Sequence, residues 1–183
     1  MKLAAFLKII RWKNLLLLVY TQLIIKLILF KSFTIESQLS TVQFVTFVLA
    51  LLFITAAGYI INDIYDVKSD LINKPSKVIV SKIISKENAQ RWYLITNTFG
   101  IVFGIIVSLS VQKPAYSFIF IGASLLLYYY SKTLKSMPLI GNSIVSLLIG
   151  SSILILYIFD IDKTVKIITV SIFFILLITP IFY

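Results

Sequence analysis

Polar positions in this chain come in short groups, and long apolar stretches run between them without the alternation of a half-buried strand. At about 20 residues per bilayer crossing, roughly six candidate spans can be read: 15–30, 41–61, 92–111, 116–130, 139–159 and 165–182. The fourth is short. Only residues 112–114 separate it from the third, so the two are expected to form a tight helical hairpin. The expected fold class is all-α, a multi-pass transmembrane helical bundle. Composition agrees: 60% of the 183 residues are hydrophobic and 13% are charged, with a mean hydropathy of +1.02. A soluble domain has too little interior to hide that much apolar surface.

Charge refines this picture. A net charge of +10 in a soluble protein would suggest nucleic acid. Here the basic residues sit between apolar runs, the pattern of membrane topology and anionic-lipid contact, and no nucleic-acid partner is expected. Lys2, Lys8, Arg11 and Lys13, the six basic residues from Lys68 to Arg91, and Lys132 with Lys135 fall on one side; Lys31, Lys113, Lys163 and Lys166 fall on the other. The richer side is expected to face the cytoplasm of a cell membrane, with the N-terminus. Residues 1–13 are basic, but the apolar run after them has no small-residue cleavage site, so it reads as a retained first span. With no Cys and no His, disulfides, thiolate or zinc sites and imidazole catalysis are excluded.

Within the first span, Asn14, Gln22 and Lys26 form a polar stripe at i, i+8 and i+12. Lys26 is expected to snorkel to the outer surface, and Asn14 and Gln22 to face the bundle interior. The stretch NDIYDVKSD, residues 62–70, follows the second span and holds three of the seven acidic residues. If the helix continues through it, and Asp63 is set at zero on a wheel of 100° per residue, Asp70 falls at about −20°, Asp66 at about −60° and Asn62 at about −100°. Carboxylates crowded on one face repel unless a cation sits between them, and hard oxygen donors at this density suit Mg²⁺.

Lysines accompany these acids: Lys74 and Lys77 just beyond Asp70, and Lys132 and Lys135 after the run Tyr128-Tyr129-Tyr130. Two arrangements are open. Acids and lysines pair off, or the acids hold Mg²⁺ while metal and lysines together hold a diphosphate. The connection 62–91 is the longest, and reads either as a lid over the charged site or as a helix lying on the headgroups. Ser85-Lys86-Glu87-Asn88 reads as the start of the third helix. A different class of function, a cation transporter or channel subunit, would want its acids near the bilayer midplane; a non-catalytic membrane partner is a further alternative.

NDxxDxxxD, present as Asn62, Asp63, Asp66 and Asp70, resembles the first aspartate-rich motif of the UbiA superfamily of intramembrane prenyltransferases. INKPSK resembles that family's Asn-Arg-Pro-x-Arg segment, with Lys74 and Lys77 where Arg is usual. RWKN, residues 11–14, resembles the opening of its first helix, and YYYSKTLKSMPLIGN, residues 128–142, its Tyr-Ser/Lys segment and PLxGN opening. Four motifs in order make the resemblance specific. It implies Mg²⁺-dependent transfer of a prenyl group from an allylic prenyl diphosphate to an aromatic or glycerol-phosphate acceptor within the lipid. It also implies roles: Asp63, Asp66 and Asp70 as catalytic and, with Asn62, metal-holding; Lys74, Lys77 and Lys132 on the diphosphate; Asn14 and Tyr130 lining the pocket. The family fold has nine spans and a second aspartate-rich motif that finds no counterpart here. The resemblance therefore implies that residues 1–183 are a single transmembrane prenyltransferase domain, incomplete at its C-terminal end and inactive alone.

Overall fold

The computed structural model describes residues 2–32, 36–136 and 140–160. Its elements are helices: α1 (Lys2–Ile9), α2 (Trp12–Ser32), α3 (Thr41–Asn73), α4 (Lys86–Ser110), α5 (Ser117–Lys132) and α6 (Ile140–Asp160). Short 3₁₀ turns stand at Pro75–Lys77, Pro114–Tyr116 and Leu134–Ser136, and α2 carries a π-helical segment at Ile25–Leu29. Among the described residues, α2, α3 and α4 are long and apolar enough to cross a membrane. The sixth candidate span, 165–182, lies outside the described residues.

The 33-residue α3 is the central mast. Ser40 and Gln43 form a reciprocal capping box at its start, and the Gln43 amide also donates to the Ser110 carbonyl at 3.0 Å, tying the start of α3 to the end of α4. No helix-breaking residue interrupts the run until Pro75, which disfavours helical geometry at Lys74 and ends α3 there. The Asp-bearing stretch is therefore helical, and the wheel drawn from the sequence applies.

α4 lies closest to α3 because glycine permits it. A Cβ at Gly100 would stand 2.8 Å from the backbone nitrogen of Ile54, and one at Gly104 would stand 2.4 Å from the Phe120 ring on α5. Small residues at such crossings let membrane helices approach where no hydrophobic effect drives them together. The expected α4–α5 hairpin is present, turned by Gln112 in left-handed geometry (φ 57°) and by Pro114.

Two apolar clusters fill the bundle. One gathers Phe47, Phe120 and Phe159, with ring centroids 5.4 to 6.2 Å apart, around Leu51, Ile54 and Leu156. The other lies at the opposite end of α3, where Ile60, Ile61 and Ile64 meet Ile9 and Ile10 of the first turns and Ile79, Val80 and Ile84 of the α3–α4 connection.

That connection corrects an expectation. Residues 62–73 belong to α3, and between Asn73 and Lys86 there is a single 3₁₀ turn and no surface helix. Val78, Ile79, Val80 and Ile84 are buried, so the segment is a packed plug. Charged residues alternate with those apolar ones along it, and from sequence alone this read either as a lid or as a helix lying on the headgroups. The reading of Ser85 as a helix start holds: its hydroxyl accepts from the Asn88 N–H at 3.3 Å. The Glu87 carboxylate is held below its usual range by its own backbone N–H and by the Ser85 hydroxyl. Ahead of the first span lies a separate helix, α1, broken from α2 where Arg11 adopts φ 52°, ψ 54°.

Candidate functional site: an aspartate face at the mouth of an apolar cavity

The end of the α3 span carries the site. Asn62 and Asp66, one turn apart, are joined by a 2.7 Å hydrogen bond from the Asn62 amide to the carboxylate. The Lys135 ammonium, brought in by the turn after α5, donates to the other Asp66 oxygen at 2.5 Å and to the Asn62 carbonyl oxygen at 3.4 Å. Asp63 faces the other neighbour: the Arg11 guanidinium donates to it at 3.1 Å and lies 4.7 Å over the ring of Tyr59, one turn earlier on α3. Asn14 donates to the Tyr59 hydroxyl at 3.3 Å. The break at Arg11 is what allows this, because it sets the guanidinium and Asn14 on the same approach to α3.

The other expected residues fall around this pair of contacts. Asp70 is two turns beyond Asp63 and its carbonyl accepts from the Lys74 N–H at 2.9 Å. Lys74 is exposed. Lys77 closes the 3₁₀ turn, and its side chain lies outside what is described. Lys132 ends α5, exposed, with its ammonium 5.9 Å from the Tyr128 ring centre. Tyr130, Asn14 and Asn62 line a cavity of about 490 Å³ together with Arg11 and Tyr59. Below this polar rim the walls are mostly apolar, among them Leu18, Leu51, Ile54, Phe120, Leu127 and Ile155 from α2, α3, α5 and α6.

Among the described residues, no three acidic groups converge as a ready metal cage. Instead a cation of the chain occupies the oxygens: Lys135 sits between Asn62 and Asp66 as a small cation would. Hard, charged oxygen donors that already hold an ammonium are chemically suited to Mg²⁺, which asks for one or two carboxylates and leaves its other positions to water and phosphate. Arg11 and Tyr59 were not assigned roles from the sequence, and Lys135 only a place among the lysines that either pair with the acids, as it does here with Asp66, or hold a diphosphate. Tyr59 had a signal, since it is one helical turn before Asp63. Lys135 had only its place in a basic cluster, and Arg11 only its place in the RWKN segment.

One expectation is overturned. Lys26 does not snorkel outward to water. Its ammonium donates to Asp160 at 2.9 Å, to the Ser37 hydroxyl at 2.6 Å and to the Leu39 carbonyl at 3.1 Å, with side-chain exposures of 11% for Lys26 and 0% for Asp160. Asp160 also accepts the Leu39 N–H at 2.6 Å and the Ser37 hydroxyl at 2.7 Å. A buried ammonium needs such a partner set, and the end of α6 supplies it. Gln22 is wholly buried, as its inward placement required.

Taken together, these features define a polytopic helical membrane protein whose hydrocarbon-lined cavity has a polar rim bonded to carboxylates of α3. A family model described as the UbiA prenyltransferase family matches residues 15–183, and the chain belongs to that family. It is similar to the digeranylgeranylglyceryl phosphate synthase of Methanosarcina barkeri, 34% identical over 81% of this chain and 52% of the relative. The protein of the same name from Methanobrevibacter smithii is 39% identical over 56% of this chain and 36% of the relative. A solved structure described as "Structural and mechanistic insights into the biosynthesis of Digeranylgeranylglyceryl phosphate synthase in membranes" superposes with a TM-score of 0.71 at 28% identity, covering 86% of this chain and 53% of that one. The chain spans about half the length of the relatives it matches over most of its own length.

Proposed function

We propose that this chain carries the donor-binding part of a prenyltransferase that moves a prenyl group from an allylic diphosphate to a glycerol-phosphate acceptor in the membrane. The observation that carries the reading is the placement of Arg11 and Asn62 at the mouth of the apolar cavity, each bonded to a carboxylate of α3, Asp63 and Asp66, with Lys135 on the second. An amphiphile with a charged head and a hydrocarbon tail fits that division. The names of the relatives favour a glycerol-phosphate acceptor over an aromatic one.

Asp63, Asp66 and Asp70, with Asn62, would hold Mg²⁺, which would supply positive charge to the departing diphosphate. Arg11 and Lys135 exchange their carboxylate partners for diphosphate oxygens, and Lys74, Lys77 and Lys132 add positive charge around the same head group. The bond between the allylic carbon and the diphosphate oxygen breaks with its electron pair going to the diphosphate. The acceptor hydroxyl oxygen then bonds to that carbon and passes its proton to the released diphosphate. Leu51, Ile54, Phe120 and Leu127 keep water from the allylic cation, while Asn14 and Tyr130 frame the entrance. The aspartate face is on the cytoplasmic side.

The test is a binding measurement on the chain in lipid nanodiscs. Geranylgeranyl diphosphate should bind with Mg²⁺ and lose most of its affinity in EDTA. Binding that ignores Mg²⁺ would overturn the proposal.

A further inference from the structure

The cavity has a polar feature in the wrong place for a hydrocarbon site. Gln22 lines it from α2, eight residues or about 12 Å below Asn14 at the rim. This is near the depth of the bilayer midplane, where a polar side chain is costly unless it serves a purpose. The residue has 0% exposure, and its amide nitrogen is 3.4 Å from the Ser152 hydroxyl oxygen, a long hydrogen bond. Its carbonyl oxygen Oε1 has no hydrogen-bond partner among the described residues. Buried carbonyls without a donor are uncommon, and each calls for a reason.

One turn deeper on the same helix face, Lys26 is locked to Asp160. Gln22 is thus backed by a fixed ion pair and has little freedom to retreat. The π-helical segment Ile25–Leu29 begins between the two, a local irregularity of the kind often found at functional positions.

We propose that Gln22 is a specificity-determining residue that reads the length of the prenyl tail; this rests on the prenyl-diphosphate reading above. An extended peptide residue spans about 3.3–3.6 Å over three main-chain bonds, so an isoprene unit with four spans about 4.5 Å. With the diphosphate at the Asn62–Asp63 level, the third unit of the tail comes level with Gln22, and a fourth must pass it. A tail that stops above Gln22 leaves the cavity beside it open, so the carboxamide can turn and its Oε1 can accept from a water. One that lies across Gln22 closes that option and offers no donor in return, which offsets part of the gain from burying the extra unit. The apolar walls alone would reward every added unit alike.

The experiment measures Mg²⁺-dependent binding of geranyl, farnesyl and geranylgeranyl diphosphates, with inorganic diphosphate as the tail-free reference, to the whole chain in nanodiscs. Wild type is compared with Gln22→Met, similar in volume and without the carboxamide, and with Ser152→Ala. Melting in the same nanodiscs reports whether each variant folds. In wild type the affinity gain from geranyl to farnesyl, the step that brings a unit level with Gln22, should fall short of that from farnesyl to geranylgeranyl. In Gln22→Met the geranyl-to-farnesyl gain should rise about tenfold, while inorganic diphosphate binds as before. A merely structural Gln22 would shift all four ligands together or none, and equal increments in wild type and Gln22→Met overturn the proposal. Failure of every diphosphate to bind wild type, the inorganic one included, overturns the prenyl-diphosphate reading and this inference with it. Binding with unchanged increments overturns this inference alone.

Discussion

Lys135 and Asp66 stand 2.5 Å apart, and the same ammonium reaches Asn62, so the helix-borne oxygens proposed for Mg²⁺ already hold a cation of the chain. This gives Lys135 two opposed effects. Replacing it with Ala removes a competitor for Mg²⁺ alone and a donor to a metal-bound diphosphate. Lys135→Ala should bind free Mg²⁺ tighter and Mg²⁺–diphosphate weaker, each by about fivefold for a partly exposed pair. Titration calorimetry with the metal alone and with metal plus diphosphate separates the two.

The aspartates themselves should show no such split. Asp63→Asn and Asp66→Asn each remove one charge from the face proposed to hold the metal–diphosphate unit. Each should cost on the order of tenfold or more in Mg²⁺-dependent binding of geranylgeranyl diphosphate. Near-wild-type affinity in both variants, measured by equilibrium dialysis, would place the donor elsewhere in the bundle.

Far from that face, Lys26 and Asp160 join α2 to the end of α6. Lys26→Met leaves a buried carboxylate without its counter-ion and should cost about 3–5 kcal/mol. Adding Asp160→Asn removes the stranded charge while keeping an acceptor for the Leu39 N–H. The double variant should therefore regain much of the loss. Strong non-additivity in melting temperature is the expected signature, and additive losses would show that the two side chains act independently.

Glycine positions give a further contrast. Gly104→Ala would drive a methyl into the Phe120 ring and should destabilise by about 1–3 kcal/mol. Gly122 has nothing within 4 Å of its would-be Cβ. There, Ala should be neutral or stabilising by up to about 1 kcal/mol through helix propensity. Thermal melts of the two variants in one detergent test the pair.

Orientation is checked separately. A reporter fused after Lys77 should be cytoplasmic and one after Lys113 external, since the basic residues cluster on the first side.

Much of this was legible in the sequence because helix periodicity is a local rule. Once α3 was allowed to continue past Ile61, the angles of Asn62, Asp63, Asp66 and Asp70 followed, and nothing before Pro75 stops that helix. The glutamine at position 22 was rightly turned inward for the same reason. What escaped was non-local. Lys26 finds Asp160 across 134 residues of chain, and a rule about single lysines near a membrane surface cannot see a partner. The turn at Arg11 escaped too, since left-handed geometry at a non-glycine residue leaves no mark in hydropathy. The packed α3–α4 connection was ambiguous because its apolar residues follow neither a helical nor a strand period.

The glycine-lined crossing of α4 and α5 also bears on how the protein is made. Only Val111, Gln112 and Lys113 lie between Ser110 and the 3₁₀ turn that leads into α5, and Gly104 and Phe120 bring the two helices into close contact. With so little polar chain to carry across, α4 need not settle in the bilayer before α5 is synthesised. The two can leave the insertion machinery as one preassembled wedge, docking onto an α3 that is already in place.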